Sequence, residues 1–149
     1  MIEVRHISKS FNGVKVLHDI SATFDAGKTN LIIGQSGSGK TVLMKSIIGI
    51  HRVDEGDILY GNSNFTSMNS KEVTNLRKEI GMLFQGSALF DSMTVEENVR
   101  FPLEMFSNKP KGEWKERVDF CLNRVGLSHA AKLYPAEISG DMQKRAAIA

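Results

Sequence analysis

Cysteine is almost missing from this 149-residue chain, which carries only Cys121. One thiol excludes an internal disulfide and a thiolate zinc cluster, and it fits a reducing compartment. An excess of one charge is also missing: 19 Lys and Arg stand against 17 Asp and Glu, a formal charge of +2. That balance argues against a polybasic binder of nucleic acid or of membrane surfaces, so no nucleic-acid partner is expected. No apolar run approaches the ~18 residues that span a bilayer. The most apolar stretch, 42–50, is interrupted by Lys45 and Ser46. Nor is there a secretory apolar segment at the start, where Ile2, Val4 and Ile7 alternate with Glu3, Arg5 and Ser8. Contact with a membrane is therefore expected to run through a partner. What is present, 24% charged and 41% hydrophobic residues over one domain's length, is an ordinary globular composition.

Strands alternate with helices along the chain, which predicts an α/β fold. Residues 2–9 and 14–24 alternate like strands around the turn Phe11-Asn12-Gly13, a hairpin-like pair. Leu31-Ile32-Ile33 and Ile80 to Phe84 are apolar without alternation, as in strands buried on both faces of a parallel sheet. Residues 40–50 read as helix, 56–60 as strand and 61–70 as loop. Asn69 with Glu72 opens a helix over 70–79, and Thr94 with Glu97 opens another that Pro102 kinks or ends. Helix 112–125 puts Trp114, Val118, Cys121, Leu122 and Val125 on one face, pairs Glu113 with Arg117, and stops at Gly126.

The chemistry concentrates in Gly34-Gln35-Ser36-Gly37-Ser38-Gly39-Lys40-Thr41, which fits G-x-x-x-x-G-K-[ST] between an apolar run and a helix. Glycines let successive backbone amides turn inward around phosphate oxygens where a Cβ would obstruct them. The helix starting at Gly39 adds its unpaired amides and positive dipole end. Lys40 can reach the β- and γ-phosphates, and the Thr41 hydroxyl can ligate Mg²⁺. A dinucleotide fingerprint would need a further glycine near Val42, and none is there. A guanine-reading Asn-Lys-x-Asp is approached only by Asn108-Lys109-Pro110-Lys111, which lacks the carboxylate, so adenine is favoured.

With these motifs in order, the chain resembles the ATP-binding subunit of ABC transporters, a P-loop ATPase. The resemblance implies a nucleotide-binding core over 1–84 with an N-terminal antiparallel β subdomain. Over 85–149 it implies a Q-loop, part of a helical subdomain and the signature. Phe11 sits where the family stacks an aromatic on adenine, and Val16 and Val42 join the cradle as nucleotide contacts. Gln85, after Gly81-Met82-Leu83-Phe84, matches the Q-loop glutamine, which approaches Mg²⁺ and the attacking water. With Lys40 it makes the catalytic pair of this segment. Ile138-Ser139-Gly140-Asp141-Met142-Gln143 resembles the signature that meets the γ-phosphate of the opposite subunit through Ser139, Gly140 and Asp141. Asp141 replaces a glycine, and its carboxylate is expected to satisfy the amides of its own helix and to oppose an incoming phosphate.

Gly81 to Leu103, with Lys132-Leu133-Tyr134-Pro135, is similar to the ATPase subunit of maintenance-of-lipid-asymmetry transporters, which move phospholipids. The family implies ATP and Mg²⁺ as cofactors, a membrane permease and a second ATP-binding subunit as partners, and a cytoplasmic place on the inner face of the membrane. Leu89 and Phe90 are expected either to face the permease or to tuck into the helical subdomain. The acidic strand and sensing histidine of the family pattern fall past Ala149. His6, His18, His51 and His129 precede the signature and take surface or packing roles. Without that strand, Leu31–Ile33 lacks a neighbour and the segment alone is expected to be marginal. Two other readings compete: a soluble ABC ATPase of translation or DNA repair, which the compact Gln85–Ser139 interval disfavours, and a nucleotide-holding module without catalysis.

Overall fold

The computed structural model describes residues 1–107 and 110–149 and divides them into two compact units, Met1–Ile80 and Gly81–Ala149. Asn108 and Lys109 of the excluded guanine motif lie outside the described residues.

In the first unit, β1 (Ile2–Phe11) and β2 (Val14–Phe24) form the expected hairpin. Asn12 and Gly13 both turn at positive φ, as a two-residue hairpin loop requires. On the other edge of β1 lies β3 (Glu55–Tyr60), followed by a short β4 (Ser63–Asn64), giving the antiparallel order β2-β1-β3-β4. The inward face does not keep a strict alternation, because Val4 and Ile7 are both buried. A bulge resets the parity. His6 and Asp19 adopt left-handed backbone where the register slips, and His6 Nδ1 lies 2.8 Å from Asp19 Oδ1. Against this sheet pack α1 (Lys40–Ile47) and α2 (Ser70–Arg77), around a core of Val4, Ile7, Leu17, Leu43, Ile47, Ile58 and Phe65. Phe65 comes from the stretch read as loop. Its turn is anchored because Asn64 Oδ1 accepts from the Thr66 amide.

Helix α1 is shorter than 40–50. Gly49 turns at φ +75°, and Ile50 donates back to the Lys45 carbonyl at 2.8 Å, a glycine stop like that at Gly126. Two expected strands are absent. Neither Leu31–Ile33 nor Ile80–Phe84 forms a strand, and Leu31 and Ile33 are 81% and 80% exposed. A strand exists through its ladder, and none of β1 to β4 pairs with either run, so an apolar sequence alone leaves the backbone unpaired.

Gly56 is the tightest point of the sheet. It sits at φ +82°, and a Cβ there would lie 2.4 Å from the carbonyl oxygens of Arg5 and His6. Both obstacles are backbone and cannot rotate away. Gly56→Ala is expected to lower stability by about 2–5 kcal/mol, left-handed strain plus overpacking. A urea midpoint within error of the parent would contradict this.

The second unit contains α3 (Val95–Phe106), α4 (Lys111–Arg124) and α5 (Gly140–Ile148). Its core is Val95, Val118, Leu122, Leu127, Ala130, Ile138 and Ala146. The expected face of α4 is the buried one, and Arg117 lies over the Phe120 ring at 5.4 Å. Thr94 and Glu97 make the expected capping box, and the Thr94 amide holds the Glu97 carboxyl below its usual range. Pro102 does not end α3, which runs on to Phe106. Val99 and Leu103, on either side of it, are packed against the core, and that packing outweighs one lost backbone bond.

Candidate functional site

The segment Gly34–Gly39 is a loop that delivers the chain into α1, which opens with Lys40 and Thr41. Gly37 and Gly39 turn at φ +80° and +90°, conformations that cost little only without a Cβ. At Gly34 a Cβ would stand 2.8 Å from Ser38 Oγ, and at Gly39 one would stand 3.2 Å from the Val16 carbonyl. Val16 therefore shapes the cradle by backing Gly39. No side chain caps α1 and its first turn holds no acid, so the amides at its start have no partner from within the helix. Into this ring folds Lys40, whose Nζ donates to the Gly34 and Gln35 carbonyls at 2.8 and 2.6 Å. An ammonium held by its own loop's carbonyls, beside free helix amides, is a device for an anion with several oxygens. Ser36 and Ser38 are exposed on the same loop, Thr41 is exposed on the first turn of α1, and Val42 is partly buried behind it.

Phe11 closes the hairpin, 37% exposed, with its ring edge-on to His51 at 5.0 Å. Lys9 Nζ lies 5.4 Å from the same ring and donates to Asp54 at 2.6 Å. That bond and one from the Ser10 amide hold the Asp54 carboxyl below its usual range. The ring is thus steadied on one side and available to a flat partner on its solvent side.

In the second unit, Gln85 is exposed in a turn whose Ser87 and Ala88 both sit at positive φ. The segment after it is clamped by Asn98, a residue the sequence reading gave no role. Asn98 accepts from the Phe90 amide at 2.7 Å and donates to the Phe90, Met93 and Thr94 carbonyls. An asparagine inside a helix is a poor helix former, and that was the available signal. The clamp divides the two apolar neighbours. Leu89 packs toward the core, whereas Phe90 stays 46% exposed, with its ring 4.8 Å from that of Phe101.

Ser139 caps α5, its Oγ accepting from the Met142 amide at 3.3 Å. Asp141 does not satisfy the helix amides, contrary to expectation. Its carboxylate turns along the helix and accepts from Arg145 Nε at 3.1 Å, while Arg145 Nη1 donates to the Val125 carbonyl at 2.8 Å. A serine cap already holds the amide within reach, and a guanidinium four residues on is the better partner for the charge. The i, i+4 spacing of Asp141 and Arg145 was readable from the sequence.

A family model described as ABC transporter matches residues 17–149. The chain is 38% identical over 148 residues to a protein of Mycobacterium leprae named "Probable ribonucleotide transport ATP-binding protein", covering 99% of this chain and 43% of that one. It is 39% identical over its full length to a "Methionine import ATP-binding protein" of Clostridium tetani, 46% of which it covers. The chain thus spans less than half the length of these relatives. Among solved structures, a dimeric ATP-binding cassette in a post-hydrolysis state bound to ADP and Pi superposes with a TM-score of 0.89 at 27% identity. That superposition covers 99% of this chain and 67% of the other.

Proposed function

This chain belongs to the ABC transporter family, and we propose on that premise that it is the ATP-binding part of a transporter subunit. The observation that carries the reading is the Lys40 ammonium folded into a glycine cradle at the uncapped start of α1. In this reading the amides of residues 34–42 and Lys40 hold the ATP phosphates, and Phe11 lies against adenine. A cradle that a Cβ would fill, an uncapped helix start and a hydroxyl on its first turn fit Mg-ATP. Thr41 would supply an oxygen to Mg²⁺, which when bound would draw charge from the phosphates; Gln85 takes the role that the family implies. The complete subunit hydrolyses ATP between two copies, with Ser139 and Gly140 meeting the partner's nucleotide.

No described helix is long and apolar enough to cross a membrane. The permease partner then docks on the second unit. A cavity of about 380 Å³ there lies between the 84–90 segment, α3 and α5, and Phe90, Phe101 and Pro102 line it. For the cargo, the likeness of Gly81–Leu103 points to phospholipid, whereas the two relatives are named for ribonucleotide and methionine. In every case the cargo is met by the permease.

The test is purification of the full-length protein from its native membrane with mild detergent. An integral membrane subunit in fixed stoichiometry is expected, with ATP turnover that rises in its presence. Phe90→Asp, on the exposed side of the Asn98 clamp, is expected to lose that subunit and keep ATP binding. A soluble protein whose turnover ignores the membrane fraction would favour the translation or repair reading instead.

A further inference from the structure

At the far end of α1 from the cradle, the first unit encloses a cavity of about 320 Å³ that the ATP site does not use. This is the lower end of the range for small-molecule pockets. Its inner wall is apolar, built from Val53, Ile58, Phe65 and Met68. Thr66, Ser70 and Thr74 also line the cavity, and of its four hydroxyl residues one is fully buried without a partner. Ser46 is 0% exposed, lines the cavity, and its Oγ has no hydrogen-bond partner. A helical serine ordinarily returns its hydroxyl to the carbonyl four residues back, and a buried hydroxyl left unmade is costly. The neighbouring donors are engaged elsewhere. Tyr60 donates to the Ile47 carbonyl, Arg77 to those of Ile48 and Gly49, and the Gly49 amide to that of Ser46.

The rim has a single sign of charge. His51, Arg52 and Arg77 line it, and among the described residues no aspartate or glutamate does. Arg77 spends Nε and Nη2 on the Ile48 and Gly49 carbonyls, which leaves Nη1 for another group. Arg52 is exposed. An apolar interior, one buried orphan hydroxyl and a basic rim together describe the complement of a particular kind of molecule.

We propose that this cavity is a binding site for a small amphipathic monoanion, with a compact apolar body, one polar atom facing Ser46 and a carboxylate at Arg52 and Arg77. The site is separate from the nucleotide cradle. Ser46 lies five residues beyond Thr41, about 8 Å along the helix axis.

The test uses the full-length protein and three probes in calorimetric titrations: 4-hydroxyphenylacetate, phenylacetate without the hydroxyl, and 4-methylphenol without the carboxylate. The first is expected to bind saturably and the other two at least tenfold more weakly. Ser46→Ala is expected to erase the preference for 4-hydroxyphenylacetate over phenylacetate while leaving the melting temperature unchanged or higher, because it removes an unsatisfied group. Arg52→Gln should weaken both acids and spare 4-methylphenol. Absence of saturable binding, a preference for 4-hydroxyphenylacetate that survives undiminished in Ser46→Ala, or a lowered melting temperature in that variant would overturn the site. Displacement of 4-hydroxyphenylacetate by Mg-ATP would overturn it too, and would leave the nucleotide reading intact.

Discussion

Lys40→Ala is expected to weaken Mg-ATP binding by the full-length protein about a hundredfold or more. The lysine is the one cation in the Gly34–Thr41 loop, and its two bonds to the Gly34 and Gln35 carbonyls show where its ammonium rests. When phosphate enters, those bonds are exchanged for charge-assisted bonds to oxygens. Each such bond contributes about 1.5–3 kcal/mol, and a loss near 2.7 kcal/mol is a hundredfold in affinity. The fold should not suffer, because the carbonyls that lose Lys40 face an exposed loop open to water. Equal affinity of variant and parent in a titration would remove Lys40 from the site.

Asp141→Gly is expected to raise ATP turnover of the full-length subunit about tenfold or more with little change in nucleotide affinity. Ser139 and the start of α5 form the segment that, in the family, meets the nucleotide of the opposite subunit. Asp141 places a carboxylate on the first turn of that helix. At about 5 Å and an effective dielectric near 20, one pair of unit charges repels by about 3 kcal/mol. Arg145 offsets part of this, but the pair is exposed (79% for the Asp141 side chain) and such pairs contribute only about 0.3–0.5 kcal/mol. The repulsion wins, so the two subunits are expected to close poorly on each other while each cradle still fills. Steady-state ATPase of the two forms with the membrane partner checks this, and equal turnover would refute it.

The parts of the structure that the sequence disclosed are those whose causes are local. Capping boxes at Asn69–Glu72 and Thr94–Glu97, the Asn12-Gly13 turn and the glycine stop at Gly126 each depend on a few adjacent residues, and each is present. The cradle was legible for the same reason, since its glycines, lysine and threonine are contiguous. Leu31–Ile33 and Ile80–Phe84 misled because a buried strand is defined by neighbours distant in sequence, and no described strand pairs with them. The shift of parity at His6 needed Asp19 from the facing strand, and the Asn98 clamp needed the fold of the 90–94 segment onto α3. Asp141 was given the right place and the wrong partner: its helix amides were considered, and Arg145 one turn later was not.

Amide hydrogen exchange of the full-length protein, with and without Mg-ATP, tests most directly that this segment is the nucleotide site. The amides at the start of α1 have no partner inside the helix, so phosphate oxygens are the groups that would protect them. Marked slowing is expected across residues 34–43, strongest at Gly37 to Val42, and is expected to be lost in Lys40→Ala. ATP that binds with unchanged exchange across 34–43 would contradict it.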